Sequence, residues 1–290
     1  MPPKEKTQKK EHKLHKLADK LTEILIYFII IFSPWAFGAT ESWSIWTINI
    51  SAYLLGFLLV TKWVGRFISE RNSLPVITTL TSKQNHLIKI KKNCYIILAG
   101  SMAVLLVYIL TSAINARASF DLSTKEYIYY DEFKKNLPHS YNAKATWFFF
   151  WQYLSLVILF WAIRDWLKSA NTIKPPFSIN PRYKKLLFLI CINAGVLALE
   201  SILQRLFYGD YRGKLLFLIE PTINYVNSAQ FGPFAYRSNA SSYFNLIWPI
   251  AIGLFIQIGK ENFSRNKHKL GNGPELILLP CIILIASSPI

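Results

Sequence analysis

Arg205, Arg212, Lys214 and Arg237 gather in one polar stretch, residues 204–240, beside Asp210 and Glu220. Arginines so concentrated suit a diphosphate, because each guanidinium fork can bind two phosphate oxygens at once. The stretch closes on Phe231-Gly232-Pro233-Phe234-Ala235-Tyr236-Arg237-Ser238-Asn239. Gly232-Pro233 predicts a turn, and the serines with Asn239 could hold sugar hydroxyls. A plainer reading is a polar helix entry with Asn239 or Ser238 as N-cap. Glu200 is the second candidate, since a carboxylate inside an apolar run is costly and often functional. It shares a helical face with Gln204 at i+4, so it either lines a polar substrate cavity or sits near an interface, paired with Arg205. His139 is the third, in a mixed-charge stretch at 115–146: a general base near neutral pH, or a solvated loop histidine. No P-loop, dinucleotide-binding glycine pattern, H-E-x-x-H or carboxylate pair at metal-ligand spacing occurs. The expectation is chemistry without metal or cofactor.

The elements that must position these residues are apolar. Of 290 residues, 52% are hydrophobic and 17% charged, against about 25% charged in ordinary soluble domains. Seven apolar runs stand out, roughly 21–40, 45–64, 94–114, 147–163, 186–203, 242–259 and 276–290. Most approach the ~20 residues that a membrane helix needs. The fold class is therefore an all-α polytopic membrane bundle of about seven transmembrane helices. Residues 1–20 form a basic cytoplasmic N-terminus, and 21–290 a transmembrane domain with outer loops near 115–146 and 204–240. The short apolar stretch 215–219 is a loop helix or an interfacial segment. The basic start before the first run also fits a cleaved signal peptide, but six further runs favour an uncleaved span. The chain stops at Ile290 inside an apolar run, as the N-terminal part of a longer protein would.

Charge gives an orientation. Of the 33 basic residues, 24 fall in residues 1–20, 62–92, 164–185 and 260–269, and the other nine in the two loops that alternate with these. The positive-inside rule then places the N-terminus in the cytoplasm. The net charge of +17 is explained by topology and anionic headgroups, so no nucleic acid is expected as a partner. Trp35, Trp43, Trp46, Trp147, Trp161 and Trp166 read as interfacial belt residues, or, at the first outer turn, as rings that stack on carbohydrate. Cys94, Cys191 and Cys281 lie in separate apolar runs without C-x-x-C spacing, as helix-packing cysteines.

Three stretches carry a family resemblance: FSPWAFGATESWSIW (32–46), ALESILQRLFYG (198–209) and FGPFAYRSNASSYFNLIWPIAIGLF (231–255). In order and spacing they resemble the N-terminal half of the O-antigen ligase and polymerase superfamily. Gly232, Pro233, Phe234, Arg237, Asn239, Tyr243 and Pro249 match that family's pattern, whereas Tyr236, Ala240 and Ser242 depart from it. The closing IASSPI (285–290) is similar to the start of the family's span that ends in Ser-Arg-Gly. The resemblance implies metal-independent, inverting transfer of a glycan from undecaprenyl diphosphate to lipid A core or to growing polysaccharide. The transfer would occur on the periplasmic face of a bacterial inner membrane. It implies arginines at the diphosphate and a histidine base in a later outer loop. Arg237, Asn239, Arg212, Arg205 and Glu200 are the expected substrate-binding residues, with membrane lipids around them. Two other classes fit the composition: a polysaccharide flippase or transporter, and a non-catalytic membrane subunit of an assembly complex. A transporter would show inverted repeats and ionisable groups near the bilayer midplane.

Overall fold

The computed structural model describes residues 3–72, 82–169, 180–208, 230–265 and 274–288. Among these, helices α1 (Pro3–Trp35), α2 (Ser42–Asn72) and α3 (Ser82–Ile114) come first. A hairpin follows, of strands β1 (Ala118–Asp121) and β2 (Glu126–Tyr129). Helices α4 (Ala143–Lys168), α5 (Pro181–Tyr208), α6 (Arg237–Arg265) and α7 (Leu278–Ser287) complete the order. The described chain is thus mainly helical.

Among the described residues, five segments are long and apolar enough to cross a bilayer: Ser42–Phe67, Lys92–Ile114, Ala143–Lys168, Pro181–Phe207 and Arg237–Asn262. They coincide with five of the seven apolar runs. The first run is not one continuous helix: α1 ends at Trp35, just after Pro34, and the chain then turns left-handed at Phe37–Ala39. The last run is described as a helix of only 10 residues, roughly 15 Å long against a hydrocarbon core of about 30 Å. Within α3, the apolar window of Lys92–Ile114 buries none of its residues, burial beginning only at Ser112 and Ala113, and Ile97, Val104 and Val107 are exposed. A helix whose exposed side is apolar is suited to lipid.

The chain divides into two compact units, Met1–Ser51 with Ala162–Ile290, and Ala52–Trp161. In the first unit, α5, α6 and α7 pack on one another and α1 packs on α5. Small residues allow the approach: a Cβ at Gly195 would lie 2.7 Å from Cys281 Sγ and 3.1 Å from its Cα. Helices in lipid rely on such close packing, having no water to exclude. Cys191 and Cys281 are buried in this core and Cys94 is exposed on α3. Arg182, at the start of α5, donates to the Trp166 carbonyl (2.6 Å) and to Ser169 Oγ (2.7 Å), and reaches Asp19 at 3.1 Å. It thereby caps the Trp166 carbonyl at the end of α4. Its guanidinium lies over the Trp166 ring, 5.3 Å from the centroid. Trp166 is fully buried, so it is a packing residue beneath an arginine and not the belt residue that its position in the sequence implies.

In the second unit, β1 and β2 pair antiparallel from Ala118↔Tyr129 to Asp121↔Glu126. Asn115 holds the rest of the loop, accepting from Lys134 N–H (2.8 Å) and donating to the carbonyls of Lys134 (2.9 Å) and Pro138 (3.2 Å). His139 is exposed, packs on Phe133 with ring centroids 5.3 Å apart, and has Nδ1 3.1 Å from the Leu137 carbonyl.

Candidate functional site

The candidate residues of the first unit converge where α5 ends and α6 begins. Glu200 and Gln204 are one helical turn apart on α5, and Gln204 Nε2 donates to Glu200 Oε1 at 2.6 Å. Both side chains are 7% exposed, and Ser201 beside them is fully buried. The shared face read from the i,i+4 spacing is therefore a packed, hydrogen-bonded pair.

Residues 231–234 form a tight turn laid on this pair. Phe231 and Phe234 exchange backbone hydrogen bonds at 3.2 and 3.1 Å, closing on Gly232 and Pro233. Gly232 has φ +53°, at the position that a type II′ turn reserves for glycine. Nothing larger fits: a Cβ there would overlap Ser201 Oγ and lie 3.2 Å from Glu200 Oε2. Pro233 is fully buried, and Gln230 and Ala235 nearly so. The Phe231 and Phe234 rings meet Phe244 of α6 edge-on, each at 6.2 Å, and Phe234 also meets Tyr243 at 5.6 Å. The turn predicted from Gly232-Pro233 is present, and aromatic packing ties it to the helix that follows.

Beyond this turn the chain surfaces. Arg237 is the first residue of α6, and it is exposed together with Ser238 and Asn239. Because the helix starts at Arg237, Ser238 and Asn239 lie in its first turn and not at the cap. Among the described residues Arg237 forms no ion pair. Its guanidinium adds to the positive end of the α6 dipole, where uncommitted N–H groups favour an anion. Arg205 is half-buried in the last turn of α5. Arg212, Lys214 and the stretch 215–219 lie outside the described residues. The structure brings Glu200 together with Gln204, Ser201 and Gly232, and sets Arg237 and Asn239 on the surface after the turn.

A second left-handed turn abuts the first. Phe37, Gly38 and Ala39 have φ of +54°, +63° and +59°. Such backbone costs an L-residue roughly 1–2 kcal/mol, so Phe37 and Ala39 are held there by their surroundings. Phe37 is buried and meets Trp43 edge-on at 6.4 Å. A Cβ on Gly38 would come within 3.0 Å of Phe234 Cδ1. The sequence signal for this pairing was the repeated Phe-Gly, at 37–38 and 231–232, with glycine left-handed in both.

These features define a helical chain with five segments able to cross a bilayer and a polar, arginine-bearing junction between two of them, as in a multi-pass membrane protein. Compared with models of known protein families, with curated proteins and with solved structures, the chain matches none.

Proposed function

We propose that the chain is part of an O-antigen ligase-like membrane glycosyltransferase. In this reading it moves a glycan from undecaprenyl diphosphate to lipid A core or to growing polysaccharide. Its N-terminus is cytoplasmic in a bacterial inner membrane, and the α5–α6 junction faces the periplasm. The observation that supports this most is Arg237, an exposed guanidinium on the first turn of α6 directly after a buried, rigidly packed turn. An acceptor hydroxyl forms the new glycosidic bond while the bond from the sugar to the diphosphate breaks. The electron pair leaves on the diphosphate oxygen, and the hydroxyl proton passes to the histidine base that the resemblance implies in a later outer loop. Positive charge fixed where that negative charge develops lowers the barrier. Arg237 supplies it, with Arg205 and Arg212 as further cations and Asn239 facing sugar hydroxyls. Glu200, bound to Gln204, shapes the polar floor beneath the turn. A polysaccharide flippase is the second reading. It is favoured by Glu200, a carboxylate only 7% exposed inside the candidate span Pro181–Phe207, since ionisable groups buried in spans often mark transport paths.

The test is glycan transfer by Arg237→Ala and Arg237→Lys in membranes carrying the full-length protein at matched levels. Alanine should lower transfer by about a hundredfold, and lysine should recover only part of it because a point charge lacks the fork. Transfer by alanine at the wild-type rate would reject the site. Donor translocation without any transfer would favour the flippase.

A further inference from the structure

We infer that the left-handed turn Phe37-Gly38-Ala39 is a positioning element for the start of α6, acting through Phe234. The turn carries two non-glycine residues at positive φ, a conformation kept only where packing over-determines it. The contact that it makes possible is with one residue. Gly38 presents bare backbone to the Phe234 ring, at a spacing where a side chain at position 38 would meet Cδ1 at 3.0 Å and Cε1 at 3.2 Å. Phe234 is in turn bonded through its backbone to Phe231, and its ring lies against Tyr243 and Phe244 of α6. On its other side the 231–234 turn rests on Glu200 and Ser201 of α5 through Gly232. The segment that delivers Arg237 is thus gripped on two sides, by Glu200 and Ser201 of α5 against Gly232 and by Gly38 of the α1–α2 connection against Phe234. Removing either surface frees Ala235 and Tyr236, the two residues between the grip and Arg237.

That Arg237 meets a donor rests on the function proposed above, but the positioning itself does not, and the two are separable by experiment. A cysteine is placed at Ala235, a nearly buried position, and its labelling by a small maleimide in detergent-solubilised full-length protein is read by peptide mass spectrometry. The native Cys191, fully buried in the α5–α7 core, serves as the control. Gly38→Val should raise labelling at 235 by about tenfold or more, through local opening, and leave Cys191 protected. Phe234→Leu in the otherwise native chain should do the same to a smaller degree. Adding Phe234→Leu to Gly38→Val should restore part of the protection, because the smaller side chain makes room for valine. Unchanged labelling at 235 in both single variants overturns the inference. So does labelling that rises equally at Cys191 and at 235, which reports general unfolding and no specific grip. In a transfer assay the same variants should lower kcat with little change in KM. If wild-type protein transfers nothing, the glycosyltransferase reading fails while the labelling result still decides the positioning.

Discussion

Asn193 on α5 stands opposite the break that Pro34 makes in α1. Proline at 34 has no N–H to offer the carbonyl of Ile30 one turn back, and Asn193 Nδ2 lies 3.4 Å from that carbonyl. The same amide accepts a 2.8 Å hydrogen bond from Trp35 Nε1. One asparagine therefore supplies a missing backbone partner and holds the residue after the proline. In a bilayer an unsatisfied carbonyl is costly, so such a substitute is expected near an intrahelical proline.

Asn193→Ala should accordingly destabilise the protein by about 2 kcal/mol, through the loss of its bonds to Trp35 and Ile30, the second leaving a helix carbonyl without its partner. With Pro34→Ala the helix regains its own donor, and the same asparagine substitution should cost less. Denaturation in micelles of the two single variants and the double variant measures the coupling, expected at roughly 0.5–1 kcal/mol. Strictly additive losses would show that Asn193 does not serve the proline break.

Arg182 ties α1, α4 and α5 through Asp19, Trp166 and Ser169. Arg182→Lys keeps the charge opposite Asp19 but cannot reach the Trp166 carbonyl and Ser169 at the same time. Both Arg182→Lys and Arg182→Ala should lower the unfolding midpoint, with lysine recovering less than half of the loss of about 2 kcal/mol. A lysine variant as stable as the native chain would reduce the cluster to a simple ion pair.

Asp121 closes β1 by accepting from the Ser123 backbone N–H at 3.0 Å and from its hydroxyl at 2.9 Å. The backbone bond, and then the hydroxyl bond, holds its carboxyl below the usual carboxylate range. A depressed folded pKa means that its contribution to the hairpin is complete above the unfolded value and is lost as pH falls through the folded one. The Ser123 amide should therefore exchange faster with solvent below that point. Ser123→Ala should move the transition upward toward the ordinary aspartate value. An amide insensitive to acid would remove the carboxylate from the account of this turn.

The concentration of basic residues in alternate segments predicts sidedness. Cysteines introduced at Ser140 and Ser82 should respond oppositely to an impermeant thiol reagent applied to intact cells, with Ser140 labelled and Ser82 spared. The reverse pattern would invert the orientation and remove the periplasmic site.

Five of the helices were legible because a charge-poor run about one bilayer thick needs only to be counted. The run at 21–40 was not legible as a helix with a turn after it, since Phe37-Gly38-Ala39 is as apolar as what precedes it and its handedness is set by packing. Glu200 and Gln204 were readable as a pair because i,i+4 spacing fixes a shared face without tertiary knowledge. Trp166 was misread, because a tryptophan at the end of a span has the same sequence signature whether it meets headgroups or lies beneath an arginine. The β1–β2 hairpin escaped notice for a related reason: two strands of four residues inside a mixed-charge loop leave too few alternations to register. The grip of Gly232 on Ser201 was out of reach, since it joins positions whose proximity depends on the packing of α5 and α6.

The bare side of α3 has an evolutionary corollary. Where no neighbour reads a side chain, selection sees only greasiness and length. The exposed positions of α3, such as Ile97, Val104 and Val107, are then free to drift among Ile, Leu, Val and Phe while Gly195, Asn193 and Gly232 stay fixed. Among related chains, α3 would be the stretch whose letters scramble first and whose length is kept longest.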